Sequence, residues 1–488
     1  MPKEHFQFDQ MTPLSAIPAN GKIHFIGVCG VAMGQLAANL AEQGYEVTGS
    51  DKEFYEPMGS YLKNSKVTLL RGYAASNIPE EVDLIVIGNT VSYGHEELAP
   101  VEERNLPYTC FPKLLRETVI SDQTSIVACG THGKSTTTAM ITSTLKNMNL
   151  NPSYFVGAVS DDFGTSLAIA SPKVSVVEGD EYDDVFFSKR AKFLHYAPTI
   201  CIINAVEFDH ADLYPTLDAM DEAFHKLVLG LPEHAHAICC IDYPHLNDLQ
   251  KEWKEKAKCK IITFGNHDDA DYRITNRKQN GLHQTFTFES EKTGSVTVQL
   301  PVAGEYNAKN GLATIISCLL QELPLNDTLA ALEKYKAVKR RQEVRLEKDG
   351  LVLIEDFAHH PTAVGLTVAM LKEAFPEKKL WAVFEPRSNT SRRKVFQDDY
   401  IKGFQQADQA IISQIKTKAV DSGHELIDVD QLAAEISDKG TACAALPDAD
   451  SIADKLIAEV GDNDAVVVMS NGSFDGLMAK LVDGFEGR

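Results

Sequence analysis

The chain has 488 residues, which is too long for one core and suits about three domains, and its composition of 44% hydrophobic and 24% charged residues is that of a globular protein. Lys and Arg number 47 against 69 Asp and Glu, a formal charge of −22. A surface this acidic repels nucleic acid and anionic membranes, while a locally basic pocket can still hold an anionic nucleotide.

The nine cysteines are odd in number and form no CxxC pair. With no N-terminal signal pattern and no apolar run of about 18 residues, they read as reduced, buried thiols in a soluble cytoplasmic protein. Residues 1–20 are polar and read as an N-terminal extension. From Ile23 the pattern runs strand, glycine turn, helix, followed by strand-like runs at 46–51, 67–72 and 84–89. This βαβ rhythm predicts a parallel sheet over residues 21–122. A second α/β unit opens at Ser125, with strands at 174–180 and 199–206, and spans 123–336. A third, 337–488, carries strand-like runs at 351–358, 380–386, 409–415 and 465–470. The expected architecture is three α/β domains in series: a Rossmann-like N-terminal domain, a central P-loop ATP-binding domain and a Rossmann-like C-terminal domain.

The strongest chemical signal is Gly130-Thr131-His132-Gly133-Lys134-Ser135-Thr136, set between the strand-like Ile126-Val127-Ala128 and a helix expected to start near Thr136. Glycines let the backbone approach an anion, the helix N-terminus supplies positive potential and Lys134 adds a point charge. Ser135 is placed to hold the Mg²⁺ that travels with ATP. Ala128 stands where a P-loop usually has its first glycine. Two acidic stretches follow strand ends: Glu178-Gly179-Asp180-Glu181, whose oxygens suit Mg²⁺, and Glu207-Phe208-Asp209-His210, where His210 is a metal-ligand candidate. The earlier turn carrying Gly27, Gly30 and Gly34 departs from the dinucleotide fingerprint in spacing, and Asp51 ends the next strand, where such folds place an acid on a ribose. Asn307 and Asn310 open a helical run, where capping is the plain alternative. Arg340, Asp356, His359 and Arg387 fall in the third unit, the last three at or just past strand ends.

In this order the motifs resemble the Mur ligase family, ATP-dependent amide-forming enzymes of peptidoglycan synthesis, from Ile23 to about residue 480. The resemblance implies UDP-N-acetylmuramate on the first domain, where Gly27 and Asp51 also serve substrate, with the diphosphate on the Gly30–Gly34 loop, and MgATP on the central domain. It gives Lys134 the transferring phosphoryl group, Ser135 and Glu178 one Mg²⁺, and His210 a second. Asn307 and Asn310 go near adenine, Arg340 near the γ-phosphate, Asp356 on the ATP side of the third domain, and His359 and Arg387 toward substrate. Segments 180–193, 207–212, 385–390 and 469–474 are similar to the branch that joins a murein tripeptide, L-Ala-γ-D-Glu-meso-diaminopimelate, in peptidoglycan recycling. The alternative is the branch that adds L-alanine in de novo synthesis. Tyr306 replaces the family's usual His and Ser135 its usual Thr. Rivals are a folate-polyglutamate-type ligase, a P-loop regulatory ATPase and, from the first turn alone, a nicotinamide oxidoreductase.

Overall fold

A computed structural model describes residues 5–121, 124–170, 173–208, 213–214, 216–416 and 425–488. By internal contacts the chain forms two compact units, each assembled from separate stretches. The first comprises Met1–Glu207, Leu217–Phe264 and Ala313–Ala331; the second comprises Phe208–Thr216, Gly265–Leu312 and Leu332–Arg488.

The first unit holds two sheets. Strands β1 (Lys22–Ile26), β2 (Glu46–Asp51), β3 (Thr68–Arg71), β4 (Leu84–Ile87) and β5 (Tyr108–Cys110) are all parallel, in the order β3-β2-β1-β4-β5. The order reverses at β1, so the glycine turn after β1 opens into the crevice where such sheets bind ligands. The other sheet contains β6 (Thr124–Cys129), β7 (Ser153–Phe155), β8 (Leu167–Ala168), β9 (Val174–Glu178), β10 (Ile200–Ile203), β11 (His236–Cys240) and β12 (Lys260–Gly265). Their order is β12-β11-β10-β6-β9-β7-β8, with β8 antiparallel at the edge. Val-Val, Ile-Ile and Cys-Cys runs without polar alternation form these strands because helices cover both faces of a parallel sheet. Register is what assembles a site here: β6 lies between β9 and β10, pairing Ala128 with Glu178 and Cys129 with Ile203. The chain segments after β9 and after β10 therefore flank the loop after β6.

In the second unit, β13 (Tyr272–Asn280), β14 (His283–Ser290) and β15 (Gly294–Leu300) form an antiparallel meander, turned at Gly281 with φ +57°. The remaining sheet is ordered β16-β17-β21-β18-β19-β20. Its strands are β16 (Glu343–Lys348), β17 (Leu351–Asp356), β18 (Leu380–Phe384), β19 (Gln409–Ser413), β20 (Ala442–Leu446) and β21 (Ala465–Met469), with only β16 antiparallel. Successive residues feed opposite faces. Ile354, Ala382, Phe384 and Val467 pack into one core, and Leu353, Trp381, Val383, Val466 and Val468 into the other. Each such side chain contributes about 1.5–3 kcal/mol by burial. All nine cysteines are free and eight are buried. Among the described residues no helix is long and apolar enough to cross a membrane.

Candidate functional site

The loop after β6 has the backbone that its glycines require. Gly130 and Gly133 sit at φ +111° and +79°, and a Cβ on Gly130 would stand 2.6 Å from the Ala205 carbonyl oxygen. Thr131 N–H donates to that same oxygen at 3.0 Å, so the loop is sewn to the segment after β10. The Thr131 hydroxyl is buried and has no hydrogen-bond partner, a donor left over for a group at the loop. The helix Lys134–Asn147 begins two residues earlier than the sequence suggests, placing Lys134, Ser135 and Thr136 in its first turn.

Lys134 Nζ donates to both carboxylate oxygens of Glu181, at 3.0 and 2.8 Å, and to the Gly130 carbonyl at 2.9 Å. Burial alone would lower its pKa, but Glu181, Asp180 and Glu178 outweigh burial and hold the ammonium charged. Ser135 Oγ donates to Glu178 Oε1 at 2.8 Å, while Gly157 N–H donates to Oε2 at 2.7 Å. A Cβ on Gly157 would meet that oxygen at 2.7 Å, so a bare backbone is needed there. Burial, and then the charge of Asp180, push the Glu178 carboxyl above its ordinary range. Two buried carboxylates and a hydroxyl at a phosphate loop are hard oxygen donors, and they fit Mg²⁺ rather than a soft metal. His132 Nε2 and Glu207 Oε2 lie 2.7 Å apart. His210 lies outside the described residues. Lys226 is exposed on the helix Leu217–Leu229 and pairs with Glu222 at 2.7 Å.

At the turn after β1, Gly27 has φ +83°, and the Gly27 and Val28 N–H groups donate to the Ser50 carbonyl at 2.9 and 3.0 Å. Gly30 caps the helix Val31–Glu42, and a Cβ on Gly34 would meet Val28 O at 2.8 Å. Asp51 accepts the Cys29 N–H at 2.8 Å and the Tyr73 hydroxyl at 3.2 Å, so it buttresses the turn as well as facing the crevice side. Sequence reasoning missed Glu97. This carboxylate is fully buried and accepts Ser50 Oγ and Asn77 Nδ2, both at 2.6 Å, and Ala74 N–H at 3.2 Å. It thereby ties together the ends of β2, β3 and β4. No local motif announces it, because its partners come from two segments distant in sequence.

The second unit gathers the remaining candidates. Asn307 donates to Ala303 O at 2.7 Å and accepts from Asn310 at 3.2 Å, both near the start of the helix Glu305–Leu320. Arg340 sits in the left-handed region at φ +60°, an uncommon conformation for a non-glycine residue. Its guanidinium is fixed by Glu355 at 2.7 Å, by Ser470 O at 2.9 Å and by Gly472 O. Asp356 accepts Gln342 N–H at 2.9 Å and Ala358 N–H at 2.8 Å, and burial raises its pKa. Tyr306, in place of the family imidazole, contacts Gln342 Nε2 through its hydroxyl. His359 Nδ1 lies 3.1 Å from Phe357 O, and the Phe357 ring lies beneath the Arg340 and Arg341 guanidinium groups. The Arg387 guanidinium covers Gly472 so closely that a Cβ there would be 1.8 Å from Nη1. Arg340 and Arg387 thus converge on the 470–472 segment.

Three family models match in succession: "Mur ligase family, catalytic domain" at residues 22–122, "Mur ligase middle domain" at 129–318 and "Mur ligase, glutamate ligase domain" at 340–472. An Escherichia coli K12 relative, UDP-N-acetylmuramate–L-alanyl-γ-D-glutamyl-meso-2,6-diaminoheptandioate ligase, is 33% identical over 95% of this chain and 98% of its own. A UDP-N-acetylmuramate–L-alanine ligase of Desulfitobacterium hafniense is 30% identical over 92% of this chain and 97% of its own. Among solved structures, a murein peptide ligase from Psychrobacter arcticus aligns with a TM-score of 0.68 and 28% identity, covering 96% of this chain and 99% of that one. Matched by family models from residue 22 to 472 and by near-full-length relatives above 30% identity, the chain belongs to the Mur ligase family.

Proposed function

We propose that the chain joins the lactyl carboxylate of UDP-N-acetylmuramate to the amine of L-Ala-γ-D-Glu-meso-diaminopimelate, consuming ATP and releasing ADP and phosphate. The observation that carries the ATP half is the loop in which buried Lys134 is held charged beside the Ser135–Glu178 pair. The tripeptide half is supported by the Escherichia coli and Haemophilus influenzae relatives that bear this activity in their names, at 33% and 31% identity.

In this reading the carboxylate oxygen attacks the γ-phosphorus, the bond to the β-phosphate oxygen breaks and ADP departs. The tripeptide amine then attacks the acyl phosphate carbon, phosphate leaves and the amine loses its proton. Both steps bring anions together, so positioning and fixed positive charge carry the catalysis. Lys134 takes charge on the transferring phosphoryl group, and the N–H groups of the 130–133 loop other than that of Thr131 cradle the phosphates. Ser135 and Glu178 would hold one Mg²⁺ and His210 another, which when bound neutralise phosphate charge. Asn307 and Asn310 face the adenine, Arg340 the γ-phosphate, and Asp356 orders the ATP side of the third domain. Arg387 takes a peptide carboxylate, for which a guanidinium fork is suited, and His359 also serves substrate. The Gly27–Gly34 turn with Asp51 receives the sugar nucleotide. The domain limits 21–122, 123–336 and 337–488 belong to the same reading. Substrates of this kind, and a tripeptide recovered from the wall, place the work in cytoplasmic peptidoglycan recycling.

Phosphate release from MgATP and UDP-N-acetylmuramate, with L-alanine and the tripeptide in parallel, tests the proposal. Turnover with the tripeptide alone supports it. Turnover with L-alanine alone replaces it with the de novo activity, and ADP release without any amine points to a regulatory ATPase.

A further inference from the structure

We infer a further metal site, separate from the Mg²⁺ positions above, for a borderline divalent ion of the Zn²⁺ class, formed by Cys110, Asp184 and His195. The Cys110 sulfur, the Asp184 carboxylate and a His195 ring nitrogen all lie within 4.8 Å of one another. They come from the end of β5 and from the excursion after β9, and none takes part in the chemistry above. His195 Nε2 and Asp184 Oδ2 are 2.7 Å apart. The other carboxylate oxygen is fixed by the Val185 and Arg190 N–H groups at 2.6 and 3.1 Å. Cys110 occupies the N-cap of the helix Phe111–Leu115. The carboxylate is thus oriented by outer contacts, as metal ligands are.

The surroundings are mostly apolar. Cys110 and Asp184 are buried, Phe6, Tyr108 and Val185 pack in the same core as the cysteine, and the Phe8 ring lies 5.3 Å from that of His195. A thiol, an imidazole and a carboxylate together select Zn²⁺ or Co²⁺ over Mg²⁺, and three protein donors leave a fourth position for solvent. A nucleophilic role for Cys110 is the competing use of the same triad. Burial pushes the thiol up to about 12, so without a cation beside it the sulfur stays protonated. Binding moves the imidazole proton to Nδ1 and releases the thiol proton, one proton per ion. Occupancy would clamp the excursion bearing Glu181 and Lys192 to the end of β5 and stabilise the first unit, leaving the phosphate loop's own cation unaffected.

The full chain, chelator-stripped and reduced, is titrated with Co²⁺ in Mg²⁺-free buffer while the near-ultraviolet thiolate-to-cobalt absorption is followed. The expected result is one Co²⁺ per chain, displaced by Zn²⁺, with the band lost in Cys110→Ser and kept in Cys443→Ser. His195→Gln, which retains the thiol, weakens Co²⁺ binding at least ~10-fold. Circular dichroism checks the fold of each variant, and if Cys110→Ser is unfolded, His195→Gln decides. No band in the parent protein, or unchanged Co²⁺ binding in His195→Gln, overturns the inference.

Discussion

Lys134 and Glu181 form a buried pair, with side chains 12% and 0% exposed. Truncating Lys134→Ala therefore does more than remove a phosphate ligand, because it takes away the ammonium from which both Glu181 carboxylate oxygens accept. Breaking a buried pair on one side costs about 3–5 kcal/mol. At roughly 2–4 °C per kcal/mol for a domain of this size, Tm falls by about 6–20 °C. The double variant Lys134→Ala/Glu181→Gln removes the Glu181 charge as well and should recover part of that loss. ADP formation, in contrast, should be absent from both, since the phosphoryl group still lacks its lysine. Thermal unfolding by circular dichroism, run beside a coupled ADP assay, separates the two effects. A single variant as stable as the parent would refute the buried-pair argument. A double variant that regains turnover would refute the role given to Lys134.

The raised Glu178 carboxyl binds protons in competition with a cation, so the apparent affinity for Mg²⁺ in the ATPase step should weaken as pH falls, and begin to do so above the ordinary carboxylate range. A pH-independent Mg²⁺ titration would count against Glu178 as a ligand. His24 is fully buried, and burial lowers its pKa to about 4 from the ordinary 6.5. The unfolded chain takes up a proton that the folded chain resists, so this term is whole above about pH 6.5 and is lost as pH falls toward 4, about 3 kcal/mol in all. Denaturant unfolding of the parent and His24→Gln across that range should show the steeper decline in the parent; equal slopes would remove the assignment. Gly472→Ala places a methyl group where the Arg387 guanidinium lies, so it should raise the KM for tripeptide as Arg387→Ala does, with the KM for ATP little changed. Equal effects on both substrates would detach Arg387 from peptide recognition.

Strands made of unbroken apolar runs were legible in the sequence. Those read at 84–89, 351–358 and 465–470 are found at Leu84–Ile87, Leu351–Asp356 and Ala465–Met469. The meander from Tyr272 to Leu300 was not read, although Asn280-Gly281 and the alternation in Gln284-Thr285-Phe286-Thr287-Phe288 carry a hairpin signal. The eye trained on parallel βαβ rhythm passes over an amphipathic antiparallel ribbon. In the phosphate loop, the glycines and Ser135 were visible because backbone geometry and a hydroxyl at a helix start leave a local signature. Glu181 was one acid among several, and only three-dimensional packing distinguishes the carboxylate that holds Lys134 from its neighbours. Glu97 and the Cys110–Asp184–His195 cluster were hidden for the same reason: their meaning lies in pairings across many residues, which periodicity cannot encode.

The chain passes from one compact unit to the other five times, after residues 207, 216, 264, 312 and 331. During synthesis, the first unit cannot be completed until Ala313–Ala331 has left the ribosome, by which point about two-thirds of the protein has been made. The phosphate loop is translated early, yet the compact unit that carries it closes late. Truncation before residue 313 would leave that unit without its last segment, and no single cut releases either unit whole. A split or circularly permuted version would have to respect all five passages at once, so this architecture resists dissection into separately inherited modules even where its sheets look modular.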